Sequence, residues 1–272
     1  MELNYDNYHS RKVNNKYMSV SLLKNFLPYF PFYCPAKKMA ELRGNWTPKQ
    51  KPAFLLGNYV HAWNMNKLQE FTTKHPELFK QNGELYAKYK KGDEMINVLK
   101  NDDFISRVRA GGKERIFTAE LFDVDWKIMI DIYNPDKKTF TDIKTVRSIN
   151  KRQYNTFTQE YQSWIDYYHY DYQMAIYAEI ERLANGREKG DYFVPHIAAV
   201  SKEDPPDKIV IHFPTTEENW IQQKLEQVEI ALQDIIPVWK GEEEPERCNH
   251  CSYCRSTKSL KKSIHYFDFI SE

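Results

Sequence analysis

The chain has 272 residues, enough to bury a substantial core, and its 39 basic and 38 acidic residues leave a net charge of +1. That balance excludes a strongly cationic coat but leaves room for a local basic groove, because patches rather than totals bind phosphate. No apolar run reaches the length of a membrane span, and the polar opening MELNYDNYHSRKVNNKY lacks the apolar stretch of a signal peptide, so a cytoplasmic protein without membrane association is expected. In that compartment the four cysteines argue against structural disulfides. Nineteen Tyr, fifteen Phe and six Trp are core-forming rings by default, with some left over to stack on bases.

Taken in order, residues 1–17 read as a polar lead-in and 18–272 as one domain. Ser19 or Ser21 caps a short amphipathic helix carrying Leu22, Leu23, Phe26 and Leu27, which Pro28 and Pro31 break. A second helix starts at Pro35, with Cys34 just outside it beside the free N–H groups. After a polar loop over 44–54, residues 55–75 read as one longer helix with Leu56, Val60, Trp63 and Leu68 near one face and His61 beside it. Residues 75–115 are charged and weakly periodic, predicting two short helices and a glycine turn; Lys88, Lys90, Lys91, Lys113 and Arg115 there suit either a solvated face or contacts to a nucleic-acid backbone. IFTAELFDVD (116–125) reads as a strand carrying Glu120.

The central stretch is WKIMIDIYNPDKKTFTDIKT, 126–145. Two β-prone runs flank the turn residues Asn134 to Lys138, so the pair reads as a hairpin. Asp131 lies in the first run and Asp142 in the second. Lys144 shares a face with Asp142, because strand side chains alternate. Two carboxylates and an ammonium converging on a sheet suit a hard cation such as Mg²⁺ or Mn²⁺, although a solvated hairpin face with an ordinary Asp–Lys pair fits these three residues equally well. Downstream, 146–164 is basic and aromatic, and 165–186 reads as a helix with Gln173 and Tyr177 on one face. Two further strands, 192–202 and 207–213, precede a helix over 215–236 that is expected to end before Pro237. An acidic loop then leads to a tail carrying Cys248, Cys251 and Cys254.

Four signals therefore stand in one order: GNYVH (57–61), Asp131, Asp142-Ile143-Lys144, and Gln173-x-x-x-Tyr177. This resembles the RecB-like branch of the PD-(D/E)xK nuclease superfamily, and most of all its phage-type exodeoxyribonuclease VIII-like group, related to lambda exonuclease. The likeness spans about residues 18–258, with Ile130-Asp131 replacing the Pro-Asp of the superfamily name. It implies an α/β fold with a restriction-endonuclease-like core, in which a mixed central sheet is flanked by helices and extended by N-terminal helices and the cysteine-rich tail. It also implies a Mg²⁺-dependent DNA exonuclease acting on double-stranded ends in phage-type recombination or DNA processing, with a homo-oligomeric ring and an annealing-protein partner. Asp131, Asp142, the Ile143 carbonyl and His61 would be metal ligands, Glu120 a candidate second-metal ligand, Lys144 the residue that orients water, and Gln173 with Tyr177 support for the site and the strand. An endonuclease on the same fold and a non-catalytic DNA-binding module are the alternatives.

One cysteine near the N-terminus and three near the C-terminus resemble the iron–sulfur staple of part of that branch. Four thiolates can hold a 4Fe–4S cluster, and C-x₂-C-x₂-C resembles the opening of the bacterial ferredoxin run. The last spacing is shorter than in the stapled nucleases, which leaves a four-cysteine Zn²⁺ site open. Buried free thiols fit poorly with three cysteines in seven residues.

Overall fold

A computed structural model describes residues 3–48, 52–260 and 262–267; the middle of the polar loop expected at 44–54 lies outside them. The strands are β1 (Gly112–Leu121), β2 (Val124–Asn134), β3 (Thr139–Val146), β4 (Gln153–Asn155), β5 (Glu160–Gln162), β6 (Val194–Ser201) and β7 (Lys208–His212). Five of them make a mixed sheet in the order β1-β2-β3-β6-β7, and β4 with β5 forms a separate hairpin. β3 and β6 run parallel from Thr139↔Val194 to Val146↔Ser201, while the other neighbours in the large sheet are antiparallel.

The helices are α1 (Arg11–Asn14), α2 (Val20–Leu23), α3 (Pro35–Arg43), α4 (Pro52–Asn64), α5 (Leu68–Lys74), α6 (Ala87–Lys100), α7 (Asp103–Val108), α8 (Trp164–Tyr167), α9 (Tyr170–Ala184), α10 (Trp220–Lys240) and α11 (Ser252–Ser256). One face of the sheet buries Met174, Ile176 and Ile180 of α9 with Ile221, Leu225, Val228 and Leu232 of α10. The other buries Leu56, Tyr59 and Val60 of α4 with Met95, Ile96 and Leu99 of α6 against Ile132, Ile143 and Ala198. This is the expected α/β architecture, a mixed central sheet with helices on both faces.

Several boundaries differ from expectation for identifiable reasons. The strand predicted over 116–125 folds back at Phe122 and Asp123, whose φ values of 55° and 57° form the left-handed pair that a two-residue hairpin needs. Asp123 tolerates the left-handed region, but Phe122 is not a turn residue. The helix predicted over 55–75 is two helices, because Asn66 (φ 60°) turns left-handed and Lys67 N–H bonds back to Ala62 O at 2.8 Å, closing α4. α10 continues through Pro237, which sits within the last turn and forfeits one backbone bond. Gly241 (φ 81°) ends it, and Glu242 N–H returns to Pro237 O. Residues 8–17 also pack into the body: Tyr8 and Val13 are buried, and the buried Lys127 ammonium donates to Asn14 Oδ1 at 2.6 Å and to Tyr8 O.

β1 covers one edge of β2 from Val124 to Tyr133, but β3 pairs with the other edge only from Ile132 to Asn134. Further along that second edge Met18 docks instead, with Met18 N–H to Asp125 O at 2.8 Å and Lys127 N–H to Met18 O at 2.9 Å. Between these two pairings β2 and β3 part, and the opening holds the polar residues.

Candidate active site

The ladder between β2 and β3 stops one residue short of Asp131 and Asp142, which face each other across the fork when the register Ile132↔Thr141 is extended by one step. Asp131 takes over where the backbone pairing ends, as its Oδ2 accepts Ile143 N–H at 2.8 Å. Asp142 is buried, and its Oδ1 accepts Gln173 Nε2 of α9 at 2.7 Å. Lys144 Nζ lies 2.6 Å from Asp142 Oδ2, a buried ion pair on the second oxygen of that carboxylate. The same ammonium lies over the Tyr170 ring, 4.6 Å from its centre.

α4 supplies His61 from the opposite face. A Cβ on Gly57 would stand 3.2 Å from Thr145 Oγ1, so the glycine lets α4 lie close along β3. One turn on, His61 Nδ1 comes within 3.5 Å of Asp131 Oδ2, with the side chain about one-third exposed at 32%. His61 therefore faces the carboxylates rather than a helix contact.

Burial pushes the Asp131 carboxyl up to about 6; neighbouring His61 and Lys144 pull it down, and the Asp142 charge pushes it further up. Burial opposes the charge on Lys144, but Asp142, Tyr170 and Asp131 outweigh it and hold the ammonium above its ordinary value. Two carboxylates face each other here with one ammonium between them, and burial makes Asp131 reluctant to ionise without a further cation. Asp131, Asp142 and His61 thus fit a hard divalent ion.

Two expected residues stand differently. Tyr177 lies one turn after Gln173 on α9 and packs near Phe140, with its hydroxyl pushed well up by burial. Glu120 is not brought to the site: it is exposed and pairs with Asp125, six positions along β2 from Asp131, about 20 Å away at strand spacing. The acid across β1–β2 from Asp131 is Glu114, bracketed by the pairs Lys113↔Ile132 and Arg115↔Ile130. It has φ 51°, and its Oε2 lies 3.1 Å from Lys67 Nζ, just beyond the end of α4. The tight turn at Phe122 and Asp123 sets this register, and Phe122 carries no turn signature. Sequence reasoning also misses Lys24; it is buried and lies over the Tyr170 ring, 4.5 Å from its centre, with burial and then Lys144 pushing its ammonium well down.

The four cysteines converge away from this fork. All four Sγ atoms lie within 4.8 Å of one another, with Cys34–Cys254 at 3.5 Å, Cys34–Cys251 at 3.7 Å and Cys248–Cys254 at 3.9 Å. None is in a disulfide. Cys34 caps α3, where Lys37 N–H points to its sulfur at 3.4 Å, and Cys251 caps α11 in the same way for Cys254 N–H. Burial pushes the Cys34 thiol up to about 12. Burial also raises Cys248, but the N–H groups of Cys251 and His250 more than offset it and bring that thiol down to about 6. Sulfurs this close, unbonded and served by backbone donors, suit a thiolate-bound metal.

A forked mixed sheet presenting Asp131, Asp142 and Lys144, with Gln173 from the following helix, defines a PD-(D/E)xK-type core. The sequence profile of the PDDEXK-like domain of unknown function DUF3799 matches residues 19–257, and the chain belongs to that family. The crystal structure of a candidate exonuclease from Eubacterium rectale superposes with a TM-score of 0.90 at 35% identity, covering 99% of this chain and 98% of that one. A structure of SSO0001, at 14% identity over 84% of this chain and 96% of that one, has a TM-score of 0.30 and bears on neither fold nor function. No curated protein matches.

Proposed function

We propose that the chain is a Mg²⁺-dependent deoxyribonuclease that works as an exonuclease at DNA ends. The observation that carries this reading is the convergence of Asp131 and Asp142 across the fork, with the Lys144 ammonium 2.6 Å from Asp142 Oδ2. Membership of the PDDEXK-like family and the likeness to a candidate exonuclease support it.

When bound, Mg²⁺ or Mn²⁺ supplies neutralisation of phosphoryl charge and a water acidic enough to attack at neutral pH. Asp131, Asp142 and His61 would hold the ion, with the Ile143 carbonyl as a further oxygen donor. Gln173 fixes the rotation of the Asp142 carboxylate so that its second oxygen stays turned inward. Lys144, kept charged by Asp142, Tyr170 and Asp131, would orient the attacking water and offset charge developing on the phosphoryl oxygens. Glu114, the acid across β1–β2 from Asp131, would be the candidate for a second ion in place of Glu120. Tyr177 supports α9 behind Gln173. The wider setting is phage-type recombination or DNA processing, where ends are trimmed before annealing.

The cysteine centre we assign to one Zn²⁺. Thiolates about 2.3 Å from a single tetrahedral ion stand about 3.8 Å apart; three of the six sulfur pairs stand at 3.5, 3.7 and 3.9 Å, and all six lie within 4.8 Å. A 4Fe–4S cluster binds each thiolate to a different iron and needs a wider sulfur cage, so the spacing favours the alternative over the iron–sulfur staple.

The test is incubation with Mg²⁺ and end-labelled linear or covalently closed circular DNA. An exonuclease degrades the linear form alone. Nicking or linearisation of the circle would show an endonuclease, and two untouched substrates would show a binding module without catalysis.

A further inference from the structure

Between Lys144 and Gln173 the chain makes an excursion that the catalytic geometry does not use. The hairpin of β4 and β5 stands apart from the main sheet and turns three large rings to solvent: Tyr154 is 48% exposed, Phe157 62% and Tyr161 66%. Tyr154 and Tyr161 are directly paired across the hairpin, their ring centres 5.2 Å apart, so they form one outward face, and Phe157 lies in the connecting turn. The hairpin is anchored rather than loose. Buried Asn155 donates to Tyr29 O at 3.0 Å and accepts Phe157 N–H at 2.9 Å, while Tyr168 donates to Gln153 Oε1 at 3.3 Å.

Further rings link this face to the active site. Tyr168 lies 5.9 Å from Tyr170, and Tyr170 lies under the Lys144 ammonium. Arg147, Lys151 and Arg152 are exposed on the segment leading into the hairpin, and from 147 to 161 the only acid is Glu160. Exposed aromatic rings cost stability unless something covers them. A ring beside cationic side chains can stack on a nucleobase while the cations meet phosphate, but only if the base is unpaired, because duplex stacking hides both faces.

We propose that this hairpin is a single-stranded DNA surface, on which unpaired bases stack on Tyr154, Phe157 and Tyr161 as the strand is led past Tyr168 and Tyr170 to Lys144. It deepens the nuclease reading, and rests on it, by stating that the strand entering the site is already separated from its complement. Charge favours this occupant over a protein partner: a polyanion meets Arg147, Lys151 and Arg152 against Glu160 and Glu203, the latter held beside Ser148 and Lys151.

The experiment measures binding without divalent ion, so that its outcome is independent of cleavage. Fluorescein-labelled oligothymidine and a blunt duplex of equal length are titrated with the full chain, with the Tyr154→Ser/Phe157→Ser/Tyr161→Ser variant, with Tyr161→Ser alone, and with Phe104→Ser as an exposed ring elsewhere. Expected are a roughly tenfold loss of single-strand affinity for Tyr161→Ser and at least about 100-fold for the triple variant, with duplex affinity changed less than about threefold and Phe104→Ser unchanged. A 2-aminopurine in the strand should be quenched by the native protein and not by the triple variant. Circular dichroism and thermal melting check folding, and the single variant carries the test should the triple one fail to fold. Absence of single-strand binding by the native protein, equal losses for duplex and single strand, or unchanged binding in the variants would each overturn the proposal; the last would mark the face as a protein contact. Failure of the native protein to cleave either DNA form would overturn the nuclease reading alone.

Discussion

Replacing Asp131 with Asn should separate what the fold wants from what the chemistry needs. The native carboxyl has its pKa raised from 3.8 to about 6, with burial as the largest cause. A raised folded-state value means that the contribution of the group to stability is fully present below the unfolded value and is lost as pH rises through about 6. Two pH units at about 1.36 kcal/mol each give about 3 kcal/mol, which we discount to about 2 kcal/mol because the side chain is 15% exposed. Asn removes the charge and keeps an oxygen to accept Ile143 N–H, so Asp131→Asn should be more stable than the native chain by about 2 kcal/mol at pH 7.5 without divalent ion. The gain should shrink below about 1 kcal/mol at pH 4, where the native carboxyl is largely protonated in the fold. Urea unfolding in EDTA at both pH values reads this directly. Adding Mg²⁺ should stabilise the native chain by mass action and leave the variant nearly unmoved. A variant destabilised at pH 7.5, or stabilised by Mg²⁺ as much as the native chain, would refute the picture of Asp131 as a carboxylate held in readiness for a cation.

Asp142→Ala and Lys144→Ala should each lower cleavage by on the order of 100-fold or more while the fold is retained, since one removes an ion ligand and the other a charge-stabilising donor; near-normal rates in both would remove the site. Glu114→Gln should reduce the Mg²⁺-dependent rate by at least about tenfold and Glu120→Gln by less than about twofold, read as initial rates against Mg²⁺ concentration. Reversed effects would restore the sequence-based choice of Glu120. Cys34→Ala should release the metal and expose the tail to protease, with one Zn²⁺ per native chain by elemental analysis. A brown anaerobic preparation absorbing near about 400 nm would instead restore the iron–sulfur staple.

Much of the fold was legible because the patterns that announce it are local. The alternation in Trp126 to Tyr133, the Asn134–Lys138 turn and the apolar spacing in 165–186 and 215–236 each report an element whose partners are close in sequence or whose buried face is continuous. The elements misjudged were those decided by backbone conformations that their residues do not advertise. Asp123 accepts the left-handed region readily, but Phe122 adopts it because the strands on either side have enough cross-strand contact to impose it. The polar opening was read as a lead-in because Tyr8, Val13 and Lys127 become a buried group only when strands far along the chain are in place.

The same distinction governs the site. Asp131, Asp142, Lys144 and Gln173 could be singled out because their spacing is tied to the alternation of strands and the turn of a helix, and the fold brings them together. The choice between Glu114 and Glu120 could not be made that way, since both lie on the same strand an even number of residues apart and project from the same face. Only the hairpin register distinguishes them. Glu120 plus Asp125 and Arg115 plus Ile130 share one sum of positions, and that sum sets Glu114 opposite Asp131. A loop longer by two residues would have slid the partner of Asp131 along β1 and left the motif untouched. The identity of the second acid is therefore a property of the Phe122–Asp123 turn, and lengthening that turn should impair the Mg²⁺-dependent rate as the loss of Glu114 does.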